Sequence, residues 1–105
     1  MVEDILAVKW TLPVMRVLAD GPVRFSGIRL ALPAVSANVL TARLRALEEA
    51  GIVRRWMLPP PAACQVYGLS ERGQAARPIL RAVARWASLL QEDRGLPGTF
   101  PVKGA

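Results

Sequence analysis

The residues best equipped for chemistry in this chain are its arginines. Twelve of the fourteen cations are Arg, and only Lys9 and Lys103 are Lys. Six of the arginines (Arg24, Arg29, Arg43, Arg45, Arg54 and Arg55) fall between positions 21 and 58, against two acids, Glu48 and Glu49. That stretch therefore holds +4 of the net charge of +6. A guanidinium offers a planar fork of donors that fits a phosphate or the edge of a guanine. A basic middle third in a small domain is the electrostatic footprint expected for a polyanion partner. The bland counterpart, a charged surface serving solubility alone, has the same composition. Asn38 and Thr41 lie among these cations. The first can be bidentate to adenine, and Thr41 or Ala42 can touch a thymine methyl.

Catalytic and metal chemistry are poorly supplied. There is no His, the commonest general base and metal ligand. Cys64 is the single Cys, so neither an intrachain disulfide nor a CxxC site can form. No Lys, Arg or His adjoins it to stabilise a thiolate, and it reads as an inert thiol rather than a sensor. No combination of acid, base and nucleophile stands out. The expectation is a chain that is not an enzyme and holds no cofactor and no metal. The uncharged stretch Met57 to Ser70 contains three prolines and suits neither a membrane span nor a secretory segment, so the cytoplasm is the default expectation.

The elements that must position these residues are legible from spacing. Leu6, Trp10, Val14, Val17 and Leu18 form one helical face, interrupted by Pro13. Either the helix kinks there, or it restarts with Thr11 as N-cap and Pro13 in its first turn. Asp20-Gly21-Pro22 ends it. Val23-Arg24-Phe25 is too short for an independent strand but can pair at the edge of a small sheet. Ser26 is expected to cap a short helix with Ile28 and Leu32 inward, ended by the turn Pro33-Ala34-Val35. Ser36 caps the next helix, whose apolar positions are Val39, Leu40, Leu44 and Leu47. Gly51 stands where a left-handed C-cap belongs. Strands are expected at Ile52 to Leu58 and at Gln65 to Leu69, joined into a hairpin across the three prolines. Ser70 caps the last helix, and Pro78 should break or bend it after Arg77.

This order predicts a mainly α fold with a small β-hairpin: a winged helix-turn-helix over residues 1–94, with a flexible Gly/Pro-rich tail at 95–105. In such a fold the third helix, here at about 36–50, enters the major groove, and the hairpin at about 52–69 lies over the backbone or minor groove. The inserted helix needs one apolar face for the core and one small or polar face for base edges. Ala37, Asn38, Thr41, Ala42 and Arg45 supply the latter. Ser36 caps that helix, and the exposed amides of its N-terminus are a natural phosphate site. Of the three tryptophans, Trp10 reads as core, with the wall of an effector pocket as its rival role. Trp56 reads as partly exposed on a strand, and Trp86 as interfacial. Ile79, Val83, Trp86 and Leu90, with Ile5 and Leu6, make more apolar surface than one small domain needs. A homodimer through the first and last helices is expected from them.

The chain resembles the HxlR-type family of bacterial winged-helix transcription regulators. The likeness runs in order through Lys9-Trp10-Thr11-Leu12, Asp20-Gly21-Pro22 with Arg24-Phe25, Leu32-Pro33, Ser36, Val39-Leu40-Thr41 and Arg43-Leu44. It continues through Leu47-Glu48-Glu49-Ala50-Gly51, Tyr67, Leu69-Ser70-Glu71 and Gly73, covering about residues 4–90. It implies a homodimer on a pseudo-palindromic site in double-stranded DNA, with the terminal helices forming the dimer and the third helix reading bases. It also makes Arg43 a phosphate clamp. Three departures stand out. The sensing Cys carried by many members before the first helix has no counterpart, and Cys64 lies in the wing instead. Ala7-Val8 stands where the family tends to have Gly-Gly. The wing tip is Ala62-Ala63-Cys64, without the family's usual basic residue, which leaves Arg54 and Arg55 as the phosphate ligands at its base. The uncharged tip also keeps open a second function, a winged-helix protein-interaction module that has lost specific DNA binding. A small-molecule effector, if one exists, is not identified by these residues.

Overall fold

The structure, a computed structural model, describes residues 8–94. Ile5, Leu6 and the 95–105 tail lie outside the described residues. Five helices and one hairpin follow in the order α1 (Thr11–Leu18), α2 (Phe25–Ala31), α3 (Ala37–Glu49), β1 (Val53–Met57), β2 (Gln65–Leu69), α4 (Glu71–Gln74) and α5 (Arg77–Arg94).

The helix α1 begins at Thr11, and Val8, Lys9 and Trp10 before it are not helical, so it does not kink at Pro13. Trp10, not Thr11, stands at the N-cap position, in a left-handed conformation with φ 76°. Thr11 is the first helical residue and is buried, its amide donating to the Val8 carbonyl at 3.2 Å. Pro13 then falls in the first turn, where its missing N–H costs no helical hydrogen bond. The positive φ at a bulky residue is unusual. It is held by packing, because Trp10 lies against the core and carries the Lys9 ammonium 5.8 Å from its ring centroid.

The helix expected from Ser26 starts earlier. Arg24 is the residue at the N-cap position of α2, without a side-chain cap, and Ser26 is inside the first turn. The reason is tertiary. Val23 exchanges two backbone hydrogen bonds with Tyr67 (2.9 and 2.8 Å), forming an isolated bridge on the edge of the hairpin. The chain leaves that bridge straight into the helix, and the Phe25 ring meets Tyr67 at a centroid distance of 6.5 Å.

The third helix ends as its sequence demands. Gly51 has φ 79°, its amide donates to the Glu48 carbonyl at 3.0 Å, and the Ile52 amide donates to the Leu47 carbonyl at 2.9 Å. This paired pattern is the Schellman motif, and it aims the chain into β1. The strands pair antiparallel with Val53 opposite Leu69 and Met57 opposite Gln65. β1 is shorter at both ends than the expected Ile52 to Leu58. Ile52 is used by the helix cap, and Leu58 closes the loop by donating to the Cys64 carbonyl at 2.8 Å. Ser70 does cap a helix: its hydroxyl accepts from the Gly73 amide at 3.0 Å and donates to the Gly51 carbonyl at 2.6 Å. That helix, α4, is only one turn long. The break expected after Arg77 falls before it, so that Pro78 occupies the first turn of α5.

One core joins these elements: Val14, Met15 and Leu18 of α1, Ile28 of α2, Leu40, Leu44 and Leu47 of α3, then Val35, Ile52, Val53, Leu69 and Leu80. Leu80 is the residue by which α5 enters it. Elsewhere on α5, Ile79, Trp86 and Leu89 are left exposed, Trp86 at 63%, while Val83 and Leu90 are half-buried.

Candidate nucleic-acid interface

The position of α3 follows from its core residues. Leu40, Leu44 and Leu47 recur at spacings of four and three and are wholly buried, which fixes one face inward. Val39 was expected with them, yet it is 38% exposed. Successive helical residues lie about 100° apart, so Val39 sits on the flank of the face that Leu40 occupies. The opposite row, Asn38, Ala42 and Arg45, is exposed. Ala37 and Thr41 are half-buried on one side of it. Arg43 is half-buried beside Leu44, as suits a flanking cation rather than one at the centre of a groove.

Ser36 performs its expected local task. Its hydroxyl accepts from the Val39 amide at 3.1 Å, with Ser36 extended at the N-cap. The first turn of α3 contains no acidic residue, so nothing in it neutralises the positive end of the helix dipole. The amides of Ala37 and Asn38 point from the same terminus and are suited to an anionic oxygen.

The two arginines at the base of the wing are adjacent, and β geometry therefore sends them to opposite faces of the hairpin. Arg55 faces α3: its Nε lies 2.9 Å from Glu48 Oε2. Arg54 faces the other way and stacks on Trp56, guanidinium carbon to ring centroid 4.9 Å. Trp56 in turn lies over Gly68, where a Cβ would come within 2.8 Å of the indole. Both arginines remain exposed. The sequence-level reading paired them as equivalent ligands and did not include Glu48 or Trp56. The signal for Trp56 was its position two residues beyond Arg54, which puts both on one strand face. Nothing local marked Glu48 as the partner of Arg55, since seven residues and a turn separate them. Arg24 at the N-cap position of α2 and Arg29 within it are exposed as well and extend the cationic surface.

Among the described residues no group of three or more His, Cys, Asp or Glu is placed to hold a metal ion. No described helix is long and apolar enough to cross a membrane.

Two helices joined by a tight turn, a polar row on the second and a hairpin at its side define a winged helix-turn-helix DNA-binding protein, of the class that regulates transcription. The family model described as HxlR-like helix-turn-helix matches residues 5–94. The chain is 39% identical over 85 residues to the uncharacterized HTH-type transcriptional regulator YvaP of Bacillus subtilis, covering 81% of this chain and 79% of that one. Its fold superimposes on the reduced form of the transcriptional regulator YodB from B. subtilis with a TM-score of 0.72 and 34% identity, covering 82% of this chain and 84% of that one. A possible HxlR family transcriptional factor from Thermoplasma volcanium gives a TM-score of 0.76 at 28% identity, over 88% and 83% of the two chains. The chain belongs to the HxlR-like helix-turn-helix family.

Proposed function

We propose that the protein binds a two-fold pseudo-palindromic DNA site as a homodimer in the cytoplasm and regulates transcription without catalysing a reaction. The observation that carries this reading is the outward row of α3. Asn38, Ala42 and Arg45 are held opposite three buried leucines, with Thr41 at the side of that row, on a helix whose N-terminus carries no acid of its own. An ordinary solvated face would favour Lys and Glu; small residues at positions 37 and 42 instead let the helix approach base edges closely. In this reading Asn38, Thr41 and Arg45 read bases, with Ala37 and Ala42 admitting the groove wall. Ser36 with the free amides of α3, together with Arg43, Arg54 and Arg55, anchors the backbone.

The dimer in this proposal is supported by α5. Ile79, Val83, Trp86 and Leu90 recur at four, three and four, the spacing of a helix seam, and two of them are more than half exposed in the single chain. Neighbouring Leu89 is also exposed and widens the seam.

Selection of bound fragments from a random DNA pool tests the reading, followed by mobility shifts of the selected duplex and a scrambled one at two salt concentrations. Tight, salt-dependent binding with preference for the selected duplex is expected. The uncharged tip from Pro59 to Cys64 favours one other reading, a winged helix that binds another protein in place of DNA. Failure to shift any duplex would favour that alternative.

A further inference from the structure

The structure assigns a role to Glu48, resting on the DNA-binding reading: it is a positioning residue that competes with phosphate for Arg55 and so discounts binding to non-specific DNA. Glu48 Oε2 is 2.9 Å from Arg55 Nε, with the two side chains 23% and 52% exposed, and this is the one ion pair recorded among the described residues. Glu48 lies in the last turn of α3, which contains no basic residue. A carboxylate there faces the negative end of the helix dipole, and the cation that pairs with it comes from another element. β1 supplies it. Of the two arginines at the wing base, Arg54 thus rests on an indole with its charge unneutralised, whereas Arg55 is occupied by a carboxylate on the recognition helix itself.

Arg55 offers a phosphate the Nε edge of its guanidinium only by exchanging Glu48 for it; with the pair intact, only the Nη donors remain, beside a carboxylate that repels the anion. An ion pair this exposed is weak enough to be exchanged. A DNA backbone docked in register by the base contacts of α3 brings a phosphate to the guanidinium and takes Glu48's place. A loosely docked, non-specific backbone does so less often, and Glu48 keeps its partner. The pair therefore lowers the gain from non-specific contact more than the gain from specific contact.

The test uses the full chain, with Glu48→Gln, the neighbouring exposed acid changed as Glu49→Gln, and each repeated in an Arg55→Ala background. Dissociation constants are measured on the selected and scrambled duplexes across a salt series, with thermal melts to verify folding. Glu48→Gln should tighten binding to the scrambled duplex about two- to fivefold. It should steepen the salt dependence by about 0.9 for each phosphate gained. Binding to the selected duplex should change less, so that discrimination falls. Arg55→Ala should abolish the gain, and Glu49→Gln should leave the slope unaltered. A Glu48→Gln variant that binds more weakly, matches Glu49→Gln, or gains equally without Arg55 overturns the inference. A wild-type chain that binds no duplex overturns this inference and the DNA-binding reading together; a wild-type chain that binds while Glu48→Gln changes nothing overturns this one alone.

Discussion

At the scale of residues, position relative to the core separates reading from anchoring. Asn38 projects from the face opposite Leu40 and Leu44 at the exposed start of α3, where a carboxamide can pair with one base. Asn38→Ala should therefore cost about 1–3 kcal/mol on the selected site and little on a scrambled duplex, as measured by competition binding. Arg54 is different in kind. In the proposed reading it presents charge to a backbone that is alike in every sequence, from a guanidinium steadied by Trp56. Arg54→Ala should weaken both duplexes similarly and flatten the salt slope by about 1 per subunit. Cys64 is a free, half-buried thiol in the hairpin loop. In a dimer on DNA the two wings stand on the order of one helical turn apart, about 34 Å, whereas a disulfide needs α-carbons within about 7 Å. Diamide treatment followed by non-reducing electrophoresis should leave the chain uncross-linked and its DNA affinity unchanged. A stoichiometric Cys64-linked dimer that loses DNA binding would make the wing a redox sensor.

At the scale of elements, what orients the hairpin against the recognition helix is a short series of backbone contacts. The Schellman turn at Gly51 fixes where β1 leaves α3, and the Ser70 hydroxyl ties the far end of β2 back to the Gly51 carbonyl. Gly73 completes the junction. A Cβ at that position would collide with the Ile52 carbonyl, which already accepts from the Ser70 amide. Backbone cannot move aside as a side chain can, so Gly73→Ala should destabilise the fold by about 1–3 kcal/mol. In a domain of this size each kcal/mol lowers the melting temperature by about 4–8 °C, measurable by circular dichroism. Trp56 over Gly68 is the contrasting case, because there the obstacle is the edge of a side chain.

At the scale of the whole molecule, α5 contributes to the single-chain core chiefly through Leu80 and carries an uncovered apolar seam beyond it. A second α5 is the cover proposed above, and it sets the distance between two recognition helices. Trp86, 63% exposed in one chain, would be the largest side chain at its centre. Trp86→Ala should weaken the dimer by about 2–4 kcal/mol. Sedimentation velocity across micromolar concentrations would show this as a shift toward monomer, with thermal melts of the variant little changed at high concentration. A wild-type chain that sediments as a monomer at those concentrations would remove the dimer from the mechanism.

The sequence by itself determined the order of the elements, the hairpin, the caps at Ser36 and Ser70, the left-handed Gly51, and the three leucines that turn α3; it left the separation of α4 from α5 open between a break and a bend at Pro78. The features it determined depend on periodicity and on backbone preferences that act within a few residues. The exposed row of α3 was legible for the same reason, since it is the complement of the leucine face. Local rules failed where a distant strand decided the outcome. The start of α2 moved because Val23 pairs with Tyr67, forty-four residues away. Val39 left the core because three leucines fill the width of the face that α3 can bury. The two wing arginines parted because strand pleating sends neighbours to opposite sides, and only the packing of β1 beside α3 gave Glu48 to one of them and left Trp56 to the other. Charge composition records how many cations a chain has; tertiary structure decides which of them a carboxylate already holds.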